Sequence, residues 1–131
     1  MRLPIGRYPV IKTIAIIDDD AEVRSALDNL MRSSGFAVQA FESAEAFLAS
    51  DAPNAAACVI TDVRMSSMSG IDLQNILSRR GSRLPVVFVT AFRDERTRRI
   101  AEAQGCAGFF SKPFDAAMLL KCVHDAVEST A

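Results

Sequence analysis

Residues 13–20 read TIAIIDDD, an unbroken apolar run that stops at three consecutive aspartates. A strand with no polar face has no side to give to water, so it belongs inside a sheet covered on both faces. Residues 57–62, ACVITD, repeat the form and close on Asp62. Working outward from these two, the pattern predicts strands at 13–18, 36–41, 57–62, 85–90 and 107–110. Helical stretches fall between and after them at about 21–33, 43–50, 70–80, 94–104 and 115–128. Val23, Leu27, Leu30 and Met31 make the i, i+4, i+7, i+8 stripe of an amphipathic helix. Gly35, Gly81 and Gly105 each follow a helical stretch, where a left-handed cap residue is wanted. Ser43 marks a helix start, although the capping-box position three residues on is Ala46. Five strand–helix units in series specify an α/β fold with a parallel sheet between two helix layers.

Gln39 interrupts the second strand and makes it an edge candidate. The order 2-1-3-4-5 follows, a flavodoxin-like doubly wound (βα)5 arrangement. Ligands of such sheets bind beyond the carboxyl ends of the strands, where strand order reverses between strands one and three.

The composition narrows the function. Fifteen Lys and Arg against 16 Asp and Glu leave a net charge of −1, which lacks the basic excess of a dedicated nucleic-acid binder. At 131 residues, one domain is expected to bury about 65–70% of the surface its unfolded chain exposes. That domain is expected over 13–129. Residues 1–12, with Pro4, Gly6 and Pro9, read as a flexible leader. No apolar run approaches the ~18–20 residues of a membrane span, and the amino terminus has no signal-peptide core. Cys58, Cys106 and Cys122 are widely spaced among apolar neighbours and read as buried, inert thiols. With the missing signal peptide they point to the cytoplasm. His124 is the single histidine, which disfavours zinc and Ser–His–Asp chemistry and suits surface or packing duty.

The carboxyl ends gather a distinctive set. Strand one ends in Asp18, Asp19 and Asp20, strand three in Asp62, strand four in Thr90, and strand five runs into Lys112 and Pro113. Two like charges ~4 Å apart repel by about 4 kcal/mol at an effective dielectric of about 20. Asp20, just before a helix, reads as a cap. Capping does not explain Asp18, Asp19 and Asp62 together, and a bound cation is the natural relief. Oxygen donors without His or Cys call for Mg2+ or a similarly hard ion such as Mn2+. Lys112 is one of only three lysines and supplies a fixed positive charge near this rim.

IIDDD, then VITDVRM followed by SG, then VVFVTA and FFSKPF, resemble the receiver domain of two-component response regulators. The likeness covers about residues 13 to 128 with its elements in order. FESAEAFL and DVRM are similar to the FixJ- and NarL-like type. The resemblance implies that Asp62 accepts a phosphoryl group from a sensor histidine kinase or phosphotransfer protein. It implies Asp19, Asp62 and the backbone carbonyl of Arg64 as metal ligands, with Asp18 acting through water. Lys112 would pair with the phosphoryl oxygens. Thr90 and Phe109 would form the switch, though Phe109 also suits a plain core position. The Lys112–Pro113 bond matches one that is cis in the family. Ser66 and Ser67 depart from the usual Pro and Gly. Arg93, Arg96, Arg98 and Arg99 add a basic face near the fourth helical stretch, read as solvated. That stretch, weakly anchored apart from Ile100, would shift with the fifth strand and the last helix. The output would be transcriptional, with homodimerisation on phosphorylation and no direct nucleic-acid contact by this domain.

On this reading the chain is not an enzyme beyond promoting its own aspartyl phosphorylation and dephosphorylation. The alternative is a haloacid-dehalogenase-like small phosphatase, whose DxDx(T/V) motif Asp18 and Asp20 match while Glu22 does not. A flavodoxin-type flavin site is disfavoured because three aspartates would repel the flavin phosphate.

Overall fold

The computed structural model describes residues 10–129. Most of the expected leader, residues 1–9, lies outside them. Five parallel strands, β1 (Thr13–Ile17), β2 (Ala37–Phe41), β3 (Cys58–Thr61), β4 (Val86–Thr90) and β5 (Gly108–Ser111), form one sheet in the order β2-β1-β3-β4-β5. The order is the expected one, and Gln39 is exposed on the edge strand. The helices are α1 (Ala21–Ser33), α2 (Ala44–Leu48), α3 (Ala52–Ala55), α4 (Gly70–Arg79), α5 (Glu95–Ala103) and α6 (Ala116–Ser129).

Alternate residues of the central strands feed two cores. Ile14, Ile16, Cys58 and Ile60 pack with Leu27 and Met31 of α1 and with Leu119 and Val123 of α6. Ala15, Ile17, Val59 and Phe88 face the other way, onto Phe47, Leu73, Leu77 and Ala101. This period-two division of an all-apolar strand produces the two helix layers.

Departures from expectation are local. The second helical stretch stops at Leu48 and a short helix, α3, follows. Ser50 joins the two helices: its hydroxyl donates to the Phe47 carbonyl of α2 at 2.7 Å and accepts from the Ala52 N–H of α3 at 3.1 Å. Pro53, lacking an N–H, then sits in the first turn of α3, where none is needed. Ser43 caps α2 by accepting from the Ala46 N–H, so the cap forms without a box. A full capping box does occur at Ser69 and Asp72, at the start of α4. Gly35, Gly81 and Gly105 all have positive φ, as their positions required. The anchor of α5 is corrected: Ile100 is 40% exposed and Ala101 is the buried residue. Of the three thiols, Cys58 is buried, and burial pushes it up to about 12. Cys106 and Cys122 are only half-buried, contrary to the expectation for all three. His124 is exposed, its ring 4.8 Å from that of Phe36.

Candidate functional site at the carboxyl rim of the sheet

Strand pairing continues one residue past the regular ladder and delivers the polar residues to the rim. The Asp18 N–H donates to the Phe41 carbonyl at 3.2 Å, the Asp62 N–H to Ile17 at 3.1 Å and the Lys112 N–H to Thr90 at 2.8 Å. Side chains from β1, β3 and β5 therefore start from fixed backbone at neighbouring positions. Asp18 is 2% exposed, Asp62 9% and Thr90 1%. The Lys112 ammonium donates to Asp18 Oδ2 and to Asp62 Oδ2, each at 2.9 Å. One cation thus holds two carboxylates from different strands together. The bond from Lys112 to Pro113 is cis.

The remaining oxygens are also engaged. Asp18 Oδ1 accepts from the Asp20 N–H at 2.9 Å. Asp62 Oδ1 accepts from the N–H groups of Val63, at 2.6 Å, and Arg64, at 3.3 Å. Burial raises the Asp18 carboxyl above its ordinary value of 3.8, against the opposing pull of the Asp20 N–H and Lys112. Burial alone would lower the Lys112 ammonium, but Asp62 and Asp18 together hold it above 10.5. The pocket therefore stabilises positive charge and resists a second unpaired anion.

Asp19 and Asp20 do not join this pair. Asp20 accepts from the Glu22 N–H at 2.9 Å and caps α1, as its position suggested. Asp19 is exposed. Successive side chains of extended chain face opposite ways, so turning Asp18 inward turns its neighbour out. Among the described residues no three Asp, Glu, His or Cys side chains are gathered closely enough to hold a metal by themselves. The expected three-acid cluster is in that sense corrected to two converging acids and an exposed third. This set still fits Mg2+, which keeps several waters and typically takes one or two protein carboxylates. Asp18 and Asp62 are the converging pair. The Arg64 carbonyl follows Asp62 by two residues, and Asp19 stands exposed beside Asp18.

The other expected residues surround this centre. Thr90 ends β4, and its Oγ1 accepts from the Phe92 N–H at 3.0 Å. Phe109 is partly buried in β5, its ring 5.6 Å from Phe88, and the Arg98 guanidinium lies 6.0 Å from its centroid. Arg64 lays its guanidinium 3.6 Å over the Phe92 ring. Arg98 also pairs with Glu102 at 3.5 Å across one helical turn.

Several participants were not singled out from the sequence. Arg24 Nη1 donates to the Asp18 carbonyl at 2.7 Å, tying α1 to the rim. Gly70 donates its N–H to the Val63 carbonyl at 2.8 Å, and a Cβ there would lie 2.2 Å from the Asp62 carbonyl oxygen. The Ser67 hydroxyl, legible in the sequence only as a departure from the family pattern, donates to Glu45 in the first turn of α2 and tethers the loop after Asp62. The signals were an arginine one turn into α1 and the Ser–Gly start of α4, both ambiguous without the fold.

A doubly wound sheet with two buried carboxylates and a lysine converging at its switch point is the frame of a receiver-type module. Residues 14–124 match the response regulator receiver domain family, and the chain belongs to it. It is 39% identical over 115 residues to the transcriptional regulatory protein TdiR of Thauera aromatica, covering 88% of this chain and 51% of that protein. To the response regulator protein TodT of Pseudomonas putida it is 39% identical, over 94% of this chain and 59% of TodT. The crystal structure of FixJ-N superimposes with a TM-score of 0.81 at 33% identity, over 92% of this chain and 96% of that one. The FixJ-like resemblance is thus shown, and the chain spans about half the length of the curated relatives. Receiver domains interact with histidine kinases and generally bind Mg2+ at their acidic pocket. No helix among the described residues is long and apolar enough to cross a membrane.

Proposed function

We propose that this chain is a phosphoryl-accepting switch in which Asp62 is the acceptor. The observation that carries the reading is the Lys112 ammonium at 2.9 Å from both Asp18 and Asp62. A carboxylate attacking a dianionic phosphoryl group needs charge cancellation and alignment more than a general base. Asp62 Oδ2 attacks phosphorus on a kinase phosphohistidine, the P–N bond breaks, and the imidazole leaves. Asp19, Asp62 and the Arg64 carbonyl would hold Mg2+ or Mn2+, with Asp18 acting through water, and the ion would supply charge neutralisation for the incoming phosphoryl group. Lys112 transfers its ammonium from the two carboxylates to a phosphoryl oxygen. The Val63 and Arg64 N–H groups keep the other Asp62 oxygen in place.

The Thr90 hydroxyl retains its proton for donation while its oxygen accepts from Phe92. Donation to the phosphoryl group draws the end of β4 inward, and Phe109 turns into the space released. The surface of α5, β5 and α6 then changes and dimerises, passing the signal to a transcriptional output. The module works in the cytoplasm and is not an enzyme beyond its own aspartyl chemistry. The dehalogenase-like alternative is disfavoured, because it needs Asp20 in the pocket and Asp20 caps α1.

Acetyl phosphate with Mg2+ tests the assignment. Intact-mass spectrometry should show one added phosphoryl group on the wild type and none on Asp62→Asn. Equal labelling of the two proteins would overturn it.

A further inference from the structure

We propose that Gln74 is a positioning residue that pins the carboxyl-terminal end of α5, so that the helix responds to the phosphoryl site by pivoting about that end. The pivoting half of this statement rests on the switch reading given above. The pin itself does not.

Gln74 lies in the buried stripe of α4 with Gly70, Leu73 and Leu77, and is 4% exposed. An amide in that stripe is chemically out of place. Its Nε2 donates to the Ala101 carbonyl at 3.0 Å, and the same carbonyl accepts from the Cys106 N–H at 3.1 Å. Both lone pairs of one α5 carbonyl are therefore engaged, one of them by the neighbouring helix. The other half of the amide has no such outlet. Gln74 Oε1 is, among the described residues, the buried side-chain nitrogen or oxygen atom without a hydrogen-bond partner. Leu or Met would fill similar volume with no orphaned acceptor, and an unpaired buried acceptor is costly. What the amide adds over those residues is the directional bond to α5.

That bond matters because α5 is otherwise lightly held. Ala101 is its buried residue, and Ile100 beside it is 40% exposed. At its other end α5 is capped from within: Asp94 accepts from the Arg96 N–H at 3.2 Å and from the Thr97 hydroxyl at 2.9 Å. This end follows directly from Thr90, so a pull at Thr90 reaches it first. Beside the pinned end lies a cleft of about 500 Å3, bordered by Gln74, Ser78, Gln104 and Gly105, which leaves space for the helix to rotate. One end is fixed by an alanine and an amide; the other follows the strand end and is held by the looser Arg64–Phe92 and Arg98–Phe109 stacking contacts, which is the geometry of a lever.

Removing the pin should loosen α5 selectively and lower the cost of the displaced arrangement. The experiment compares wild type with Gln74→Met by amide hydrogen exchange, and by fluorine NMR titration with beryllofluoride and Mg2+. In Gln74→Met, amides of α5 should exchange about 5-fold faster while those of α4 and the sheet are unchanged, and beryllofluoride should bind about 5-fold more tightly. Unchanged α5 exchange, or equal acceleration throughout the fold, would overturn the pin. Faster α5 exchange with unaltered beryllofluoride affinity would overturn the lever. Absence of beryllofluoride binding to the wild type would sink the switch reading instead, leaving the exchange comparison to decide the pin. Should the variant not fold, the wild-type side chain decides: its Nε2 protons should be protected from exchange, and rates like those of a free amide would overturn the proposal.

Discussion

Asp18 shows how one buried group can work against the fold that contains it. Burial raises its pKa above 3.8, and the Asp20 N–H and Lys112 recover only part of the loss. A carboxyl with a raised folded-state pKa binds more protons folded than unfolded. Its ionisation therefore subtracts stability, beginning as pH rises past 3.8 and reaching full size above the raised value. Asp18→Asn removes that burden. In chelator-treated protein its urea midpoint should exceed the wild-type midpoint at pH 7, and the difference should close as the pH is brought down to 3.8. A lower midpoint at pH 7 would show that the ion pair with Lys112 outweighs burial. The identities of Asp18, Asp62, Thr90 and Lys112 were legible because each ends or follows an apolar run, where a polar residue has no packing reason to be. The direction of Asp19 was not legible. It follows from Asp18 turning inward, and Asp18 is held there by Lys112 across 94 residues of chain.

At the scale of elements, the strands and five of the helices could be read because period-two and 3.6-residue patterns are local properties. The short helix α3 escaped because Ala52, Pro53, Asn54 and Ala55 carry no periodicity, and a proline signals a turn as readily as a helix start. Gly70 shows a different limit. Its need is for space, created by the approach of the α4 amino terminus to the Asp62 carbonyl, and no pattern around residue 70 records that approach. A Cβ there would lie 2.2 Å from that oxygen and 3.0 Å from the Phe88 ring. Since the oxygen is backbone, relief requires moving either α4 or Asp62 itself. Gly70→Ala should cost about 3 kcal/mol of stability by chemical denaturation and reduce acetyl-phosphate labelling of Asp62. Serine, hardly larger, should behave alike; wild-type labelling with either substitution would mean that the loop yields freely.

For the molecule as a whole, the two layers contribute unequally. Helices α1 and α6 put several large side chains into their core, whereas α5 offers one alanine to the other. A fold that is firm on one side and loose at one helix can change its surface without unfolding. The exposed face of α5 carries Arg96, Arg98 and Arg99, and β5 is the sheet edge beside it. If that face is the output, beryllofluoride with Mg2+ should move the protein from monomer toward dimer in sedimentation velocity. Charge reversal at Arg96 or Arg99 should weaken the association about 10-fold without altering labelling of Asp62. The bridge from Lys112 to Asp18 and Asp62 has a consequence for how such a protein is made. Carrying its own counter-ion, the newly synthesised chain can assemble its acidic rim in a cell compartment poor in divalent ions. Assembly of the rim then calls for no divalent ion, because Lys112 already pairs with both carboxylates.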